Sequence, residues 1–146
     1  MNIVKEIFTN HIVVAALIGW FGAQGFKVLS TLVRYKKFDL ERVMGSGGMP
    51  SSHTATITSA TFAIGNSHGF DSAVFALGLV MTMIVMYDAA GVRMAAGRQA
   101  QVIKMIIREI GEHKIKYEGE LKELLGHTYL EVFVGFVLGI TIGLLV

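Results

Sequence analysis

Four apolar stretches, from about His11 to Val33, Ser52 to Gly65, Ser72 to Val92 and Thr128 to Val146, alternate with charged connectors along the 146-residue chain. A helix needs about 20 apolar residues to cross a bilayer, with ~17 at the lower end, and all but the second stretch reach that length. The second is short and rich in Thr, Ser and Ala, which suits a helix packed among neighbours better than one facing lipid. The pattern predicts an all-α integral membrane bundle, a single domain over residues 1–146 with about four transmembrane helices. Between the third and fourth stretches, Val102, Ile103, Ile106, Ile107 and Ile110 recur at helical spacing beside Lys104, Arg108 and Glu109. That spacing predicts an amphipathic helix at the membrane interface. Its continuation from Glu112 to Glu123 mixes charges of both signs and reads as a solvated segment.

Composition agrees with the membrane reading. The chain is 53% hydrophobic and 16% charged, unlike a water-soluble globule with about 25% charged residues. It contains no cysteine, which excludes disulfide frameworks and thiolate metal sites. The net charge of +2 is modest, and its basic residues cluster in two connectors, a distribution that points to membrane orientation and away from nucleic acid. Arg34, Lys36, Lys37 and Arg42 lie in one connector, and Arg93, Arg98, Lys104, Arg108, Lys114, Lys116 and Lys122 in the other, whereas Asn66 to Asp71 holds none. Both basic connectors are expected on the cytoplasmic side and both termini on the other. The first apolar stretch lacks a small-x-small cleavage pattern and reads as a retained span.

Several residues are out of place in apolar helices. Gln24, Lys27 and Arg34 fall on one helical stripe of the first span, and polar groups at such depth face a protein interior or a wet cavity because exposing them to lipid costs a few kcal/mol each. Snorkelling of Lys27 and a cytoplasmic-end role for Arg34 are the simpler alternatives. Asp88 interrupts the third span and calls for a cation, for which Lys27 is a candidate; Arg93 lies five residues on, pointing to another face of a straight helix.

The segment Gly47-Gly48-Met49-Pro50-Ser51-Ser52-His53-Thr54-Ala55 places an imidazole and two serine hydroxyls at a predicted helix start. Pro50 is pre-set for a first helical turn, and the amide N–H groups that follow carry the positive end of the helix dipole, a place where phosphate can be held. The same residues also make an ordinary helix cap. At the start of the fourth span His127 and Glu131 lie one turn apart on the same face. The carboxylate can accept one imidazole N–H and leave the other nitrogen free. Such a pair can be a hydrogen-bonded couple, two ligands of a metal, or a nucleophile with its orienting group. His11, His68 and His113 have no comparable surroundings. Folded with the predicted topology, the cytoplasmic ends of the four spans bring together Lys27 and Arg34, Ser51 to His53, Arg93, and His127 with Glu131.

This constellation resembles the type 2 phosphatidic acid phosphatases, relatives of the vanadium haloperoxidases, and specifically their divergent branch. The superfamily's Lys-x6-Arg-Pro motif is matched by Lys27 and Arg34, with Tyr35 in place of proline. Its Pro-Ser-Gly-His motif is matched by Pro50-Ser51-Ser52-His53, with Ser52 in place of glycine. Its Ser-Arg-x5-His-x3-Asp motif is split here: Arg93, with Arg98 its rival, is followed after thirty-three residues by His127-x3-Glu131, with glutamate in place of aspartate. The likeness extends to Tyr87-Asp88-Ala89-Ala90-Gly91-Val92-Arg93 and Gly126-His127-Thr128.

The resemblance implies hydrolysis of a phosphomonoester or diphosphate through a phosphohistidine, with no metal or other cofactor. His127 would attack phosphorus, Glu131 would hold its tautomer, and His53 would protonate the leaving oxygen. Lys27, Arg34, Ser51, Ser52 and Arg93 would bind phosphate, with Gln24 and Asp88 in support. The implied substrate is a lipid phosphate, its head in a cytosol-facing pocket of the cell (inner) membrane and its tail among the membrane lipids. A non-catalytic anion- or phospholipid-binding or transport protein that kept the pocket is the competing expectation. No nucleic-acid partner is expected; pairing with a second copy would shield polar groups in so small a chain, although no interface signature requires it.

Overall fold

The computed structural model describes residues 2–35, 48–111 and 126–146. The order of elements is α1 (Ile3–Thr9), α2 (His11–Tyr35), α3 (Ser52–His68), α4 (Ala73–Tyr87), a π-helical turn (Asp88–Val92), α5 (Arg93–Gly111) and α6 (Tyr129–Leu145). Among the described residues every regular element is helical, and the chain is an all-α membrane bundle.

Side-chain volume along each helix decides which face is buried. On α2, Ala15, Gly19, Ala23 and Lys27 recur every fourth residue and are all buried, whereas Leu17, Ile18, Phe21, Phe26 and Leu29 are exposed. This inverts the usual rule of large apolar residues inside, as expected where lipid is the solvent and helices associate through small residues. The same stripe appears on α6 as Gly135, Gly139 and Gly143. Both stripes close on α3, the central helix, which packs against α2, α4 and α6. A Cβ on Gly139 would lie 2.5 Å from Thr58 Cβ, and one on Gly143 would lie 2.5 Å from Ser59 O.

The contact pairs fix the directions. Gly135 meets Ser51, Gly139 meets Thr58 and Gly143 meets Ser59 and Ala63, so α3 and α6 run parallel with their N-termini together. Gly19 meets Ser59 while Lys27 reaches Ser52, so α2 is antiparallel to α3. Helix α4 is likewise antiparallel: Thr82 shares a 3.0 Å hydroxyl hydrogen bond with Thr61, and Phe75 meets Gly65 nearer its start. The second apolar stretch forms an internal helix, α3, with eight buried residues from Ser52 to Gly65. Several of its hydroxyls bond back along the helix, as in Ser59 Oγ to Ala55 O at 2.7 Å.

One boundary departs from the sequence reading. His11–Val33 is 23 residues long and spans unaided, but α6 has 17 residues, about 25 Å at ~1.5 Å rise per residue, the short end of what a bilayer requires. The third span does not stop at Val92. It runs through the π turn into α5 as an unbroken stretch, Ala73–Ile107, of 35 residues. Met94, Ala95 and Ala96 are good helix formers, and no proline ends the helix there. The expected amphipathic helix is therefore a continuation of this span, with Val102, Ile103 and Ile106 exposed. Residues 36–47 and the continuation from Glu112 to Glu123 lie outside the described residues.

The glycine seam predicts a measurable asymmetry. Gly139→Val should destabilise the detergent-solubilised protein by about 1–3 kcal/mol through overpacking against α3. Gly25→Ala, with open space around the new methyl, should change stability by no more than about 0.5 kcal/mol. Thermal unfolding of both variants beside the parent checks the pair.

Candidate functional site

The parallel start of α3 and α6, together with the descending end of α2, concentrates polar groups at one end of the bundle. Ser51 is the N-cap of α3, its Oγ accepting from Thr54 N at 3.4 Å and from Thr54 Oγ1 at 3.0 Å. Thr128 is the N-cap of α6 in a complete capping box: Glu131 N donates to Thr128 Oγ1 at 3.3 Å and Thr128 N donates to Glu131 Oε2 at 2.9 Å. The two helix starts are tied by Ser51 N donating to Glu131 O at 2.9 Å. Between them lies Lys27, 4% exposed, whose Nζ donates to Ser52 Oγ at 3.4 Å. Gly48, at φ +91, passes over the lysine stem, its Cβ position 3.8 Å from Lys27 Cδ; a left-handed backbone there favours glycine.

His127 is 1% exposed. Its Nδ1 is 3.3 Å from Glu131 Oε2, and its backbone N donates to Ala89 O at 3.0 Å. A carboxylate can only accept, so the pairing places the proton on Nδ1 and leaves a lone pair on Nε2. Nε2 is buried with no hydrogen-bond partner among the described residues. Burial holds the imidazole below its ordinary value of 6.5; Glu131 opposes this by hydrogen bonding, while the charges of Lys27 and His53 reinforce it. The arrangement is a neutral, oriented imidazole with one unengaged nitrogen, beside an ammonium group and two helix N-termini. That is the equipment for holding an anion and attacking it.

The structure thus brings together Lys27, Ser51, Ser52, His127 and Glu131, with His53 on the exposed side of α3's first turn and close enough for its charge to act on His127. Gln24 is half-buried one turn before Lys27. Arg34 and Arg93 belong to α2 and α5, but their side chains lie outside the described residues. One expectation is corrected. Pro50 stands ahead of the N-cap, not in the first turn, because Ser51 supplies the capping oxygen. Ser51 Oγ accepts twice from Thr54 at the helix start and keeps its own O–H as a donor, the polarity an anion requires. Among the described residues Lys27 Nζ donates to Ser52 Oγ, and Asp88 opens the π turn that precedes α5.

Two features escaped the sequence reading. Thr128-x-x-Glu131 is a capping-box signature that the pairing of Glu131 with His127 eclipsed. The contact to Ala89 O involves a backbone atom and leaves no side-chain signal.

The family model described as the divergent PAP2 family matches residues 8–142. The chain belongs to the divergent PAP2 family. It is also 37% identical over 150 residues to the uncharacterized membrane protein YuiD of Bacillus subtilis, covering 95% of each chain. No solved structure matches. The matched span holds every residue gathered at the site, and this family member is a membrane protein.

The burial of His127 sets a pH dependence of stability. Below 6.5, its ordinary value, the unfolded chain binds a proton that the folded chain refuses, so stability is lost as pH falls from there through the folded value. Thermal unfolding between pH 8 and 5 should show this decline, and His127→Gln should flatten part of it.

Proposed function

We propose that the protein is an integral membrane phosphatase of lipid phosphates that works through a phosphohistidine. The observation that carries the reading is the buried His127, held by Glu131 with Nε2 unengaged, next to Lys27 and the paired starts of α3 and α6. In this reaction Nε2 attacks phosphorus, the bond to the leaving oxygen breaks, and His53 delivers its proton to that oxygen. Water then cleaves the phosphorus–nitrogen bond, with His53 now taking a proton from the water. Glu131 stabilises the imidazolium character that develops on His127. Lys27 and the first amide N–H groups of α3 face the charge spread over the equatorial oxygens. In the proposed cycle the phosphate replaces Ser52 Oγ as the partner of Lys27, and Arg34 and Arg93 complete the clamp.

The position of the site supports a lipid substrate. It lies at the end of helices whose outer faces carry Leu29, Val33, Tyr129, Leu130 and Phe133, so a phosphate head can reach Lys27 while its tail stays in the bilayer. The basic connectors on either side support a site that faces the cytoplasm at the cell membrane.

Purified protein in excess chelator is expected to release phosphate from phosphatidate, phosphatidylglycerophosphate or polyprenyl phosphates, and vanadate is expected to inhibit it as a five-coordinate mimic. His127→Ala should lower turnover on the order of 10³-fold or more, and Lys27→Met by about 10²–10³-fold, both with the fold retained by circular dichroism. Full turnover by His127→Ala would remove the nucleophile from the scheme. Tight vanadate binding with no turnover across the panel would instead make the pocket a binding site.

A further inference from the structure

The five residues Asp88–Val92 form a π turn between α4 and α5. Hydrogen bonds in a π turn run i→i+5, and the return to i→i+4 spacing leaves one carbonyl inside the turn without a helical donor. In a helix crossing a bilayer that carbonyl needs a donor from the protein, because hydrocarbon supplies none. Ala89 O lies inside the turn and accepts from His127 N at 3.0 Å. The His127 amide, in turn, precedes the N-cap of α6 and has no partner within that helix. Ala89 and Ala90 are both buried and pack with Val132 of α6, so the turn is pressed against the start of the helix that carries Glu131.

We propose that the π turn is a positioning device for His127, in which the carbonyl of Ala89 sets where the imidazole stands. The ring is then located from two sides: Glu131 holds Nδ1 from within α6, and Ala89 holds the backbone from the third span. The turn also ends immediately before Arg93, so it joins the two pieces of a motif that the chain separates by thirty-three residues. Its catalytic meaning rests on the phosphatase reading; its geometry does not.

The test uses the full chain in detergent micelles with two readouts that need no turnover: amide exchange at His127, and the titration of its ring followed by nitrogen-15 NMR. The variant is deletion of Ala90, which removes the one residue a π turn holds in excess and lets α4 and α5 keep their relation. Lys27, His53 and Glu131, whose charges act on the ring, are untouched. In the unmodified protein the His127 amide should exchange on the order of tenfold more slowly than in the deletion variant. The ring should titrate nearer 6.5, its ordinary value, once the deletion loosens it, and kcat on a lipid phosphate should fall more than KM rises. Gly91→Ala, which has open space for its methyl and favours α spacing, should shift both readouts in the same direction by less. A His127 amide that exchanges freely in the unmodified protein overturns the proposal, whether or not the deletion variant folds. So does a folded deletion variant with protection and titration unchanged. Protection in a protein that hydrolyses nothing would sink the phosphatase reading and leave the positioning role standing, whereas turnover with an unprotected amide would do the reverse.

Discussion

How closely α3 can approach α2 and α6 governs everything at the site. Helix axes come together only where side chains are small, and along both seams the small residues recur every four positions: Ala15, Gly19 and Ala23 on α2, Gly135, Gly139 and Gly143 on α6. Lys27 is the next member of the α2 row and Glu131 stands one turn before Gly135, so the polar groups continue the same rows past the point where the small residues end. Tight packing in the body of the bundle thereby delivers an ammonium and a carboxylate to its end in fixed register. The hydrogen bond from Ser51 N to Glu131 O is the last rung of that seam.

Such a site is held against its own energetic preference. A cation and an imidazole are kept away from water, and a buried polar group without a partner costs on the order of 1–3 kcal/mol. Helix dipoles and capping bonds offset part of that cost for a bound anion, and they do nothing for the bare imidazole. The bundle compensates with the α3 core, where hydroxyls such as Ser59 and Thr61 satisfy themselves on the preceding turn. The unengaged Nε2 of His127 is a cost that a bound group would relieve, as expected of a binding or catalytic centre.

What was legible in the sequence follows from which physical signals are carried by side chains. The lengths of the apolar runs announced α2 and α4, and the Ser/Thr/Ala content of the second run announced an inward helix, because bilayer thickness and the polarity of lipid leave few alternatives. The divergent PAP2 relationship was legible from Pro50 to His53 with Lys27 and Arg34, residues whose spacing matters more than their surroundings. The π turn was not legible. Asp88-Ala89-Ala90-Gly91-Val92 reads as unremarkable helix, and its register depends on a carbonyl finding His127 N from across the bundle. Continuity from α4 into α5 was hidden for a related reason, since the change from apolar to amphipathic composition at Arg93 marks a change of solvent and not an end of helix.

Glutamate at position 131, where the wider superfamily has aspartate, follows from the same geometry. In a capping box the side chain at the third helical position reaches back to the N-cap amide, a reach that the extra methylene of glutamate or glutamine favours. Here Glu131 Oε2 accepts from Thr128 N at 2.9 Å and lies 3.3 Å from His127 Nδ1, so one oxygen both closes the helix start and orients the imidazole. An aspartate would sit one carbon shorter and would have to give up one of the two. With the motif split, the chain between Arg93 and His127 cannot hold the histidine in place by sequence proximity. The cap takes over that duty from the α6 side, and glutamate is long enough to serve the cap and the imidazole together.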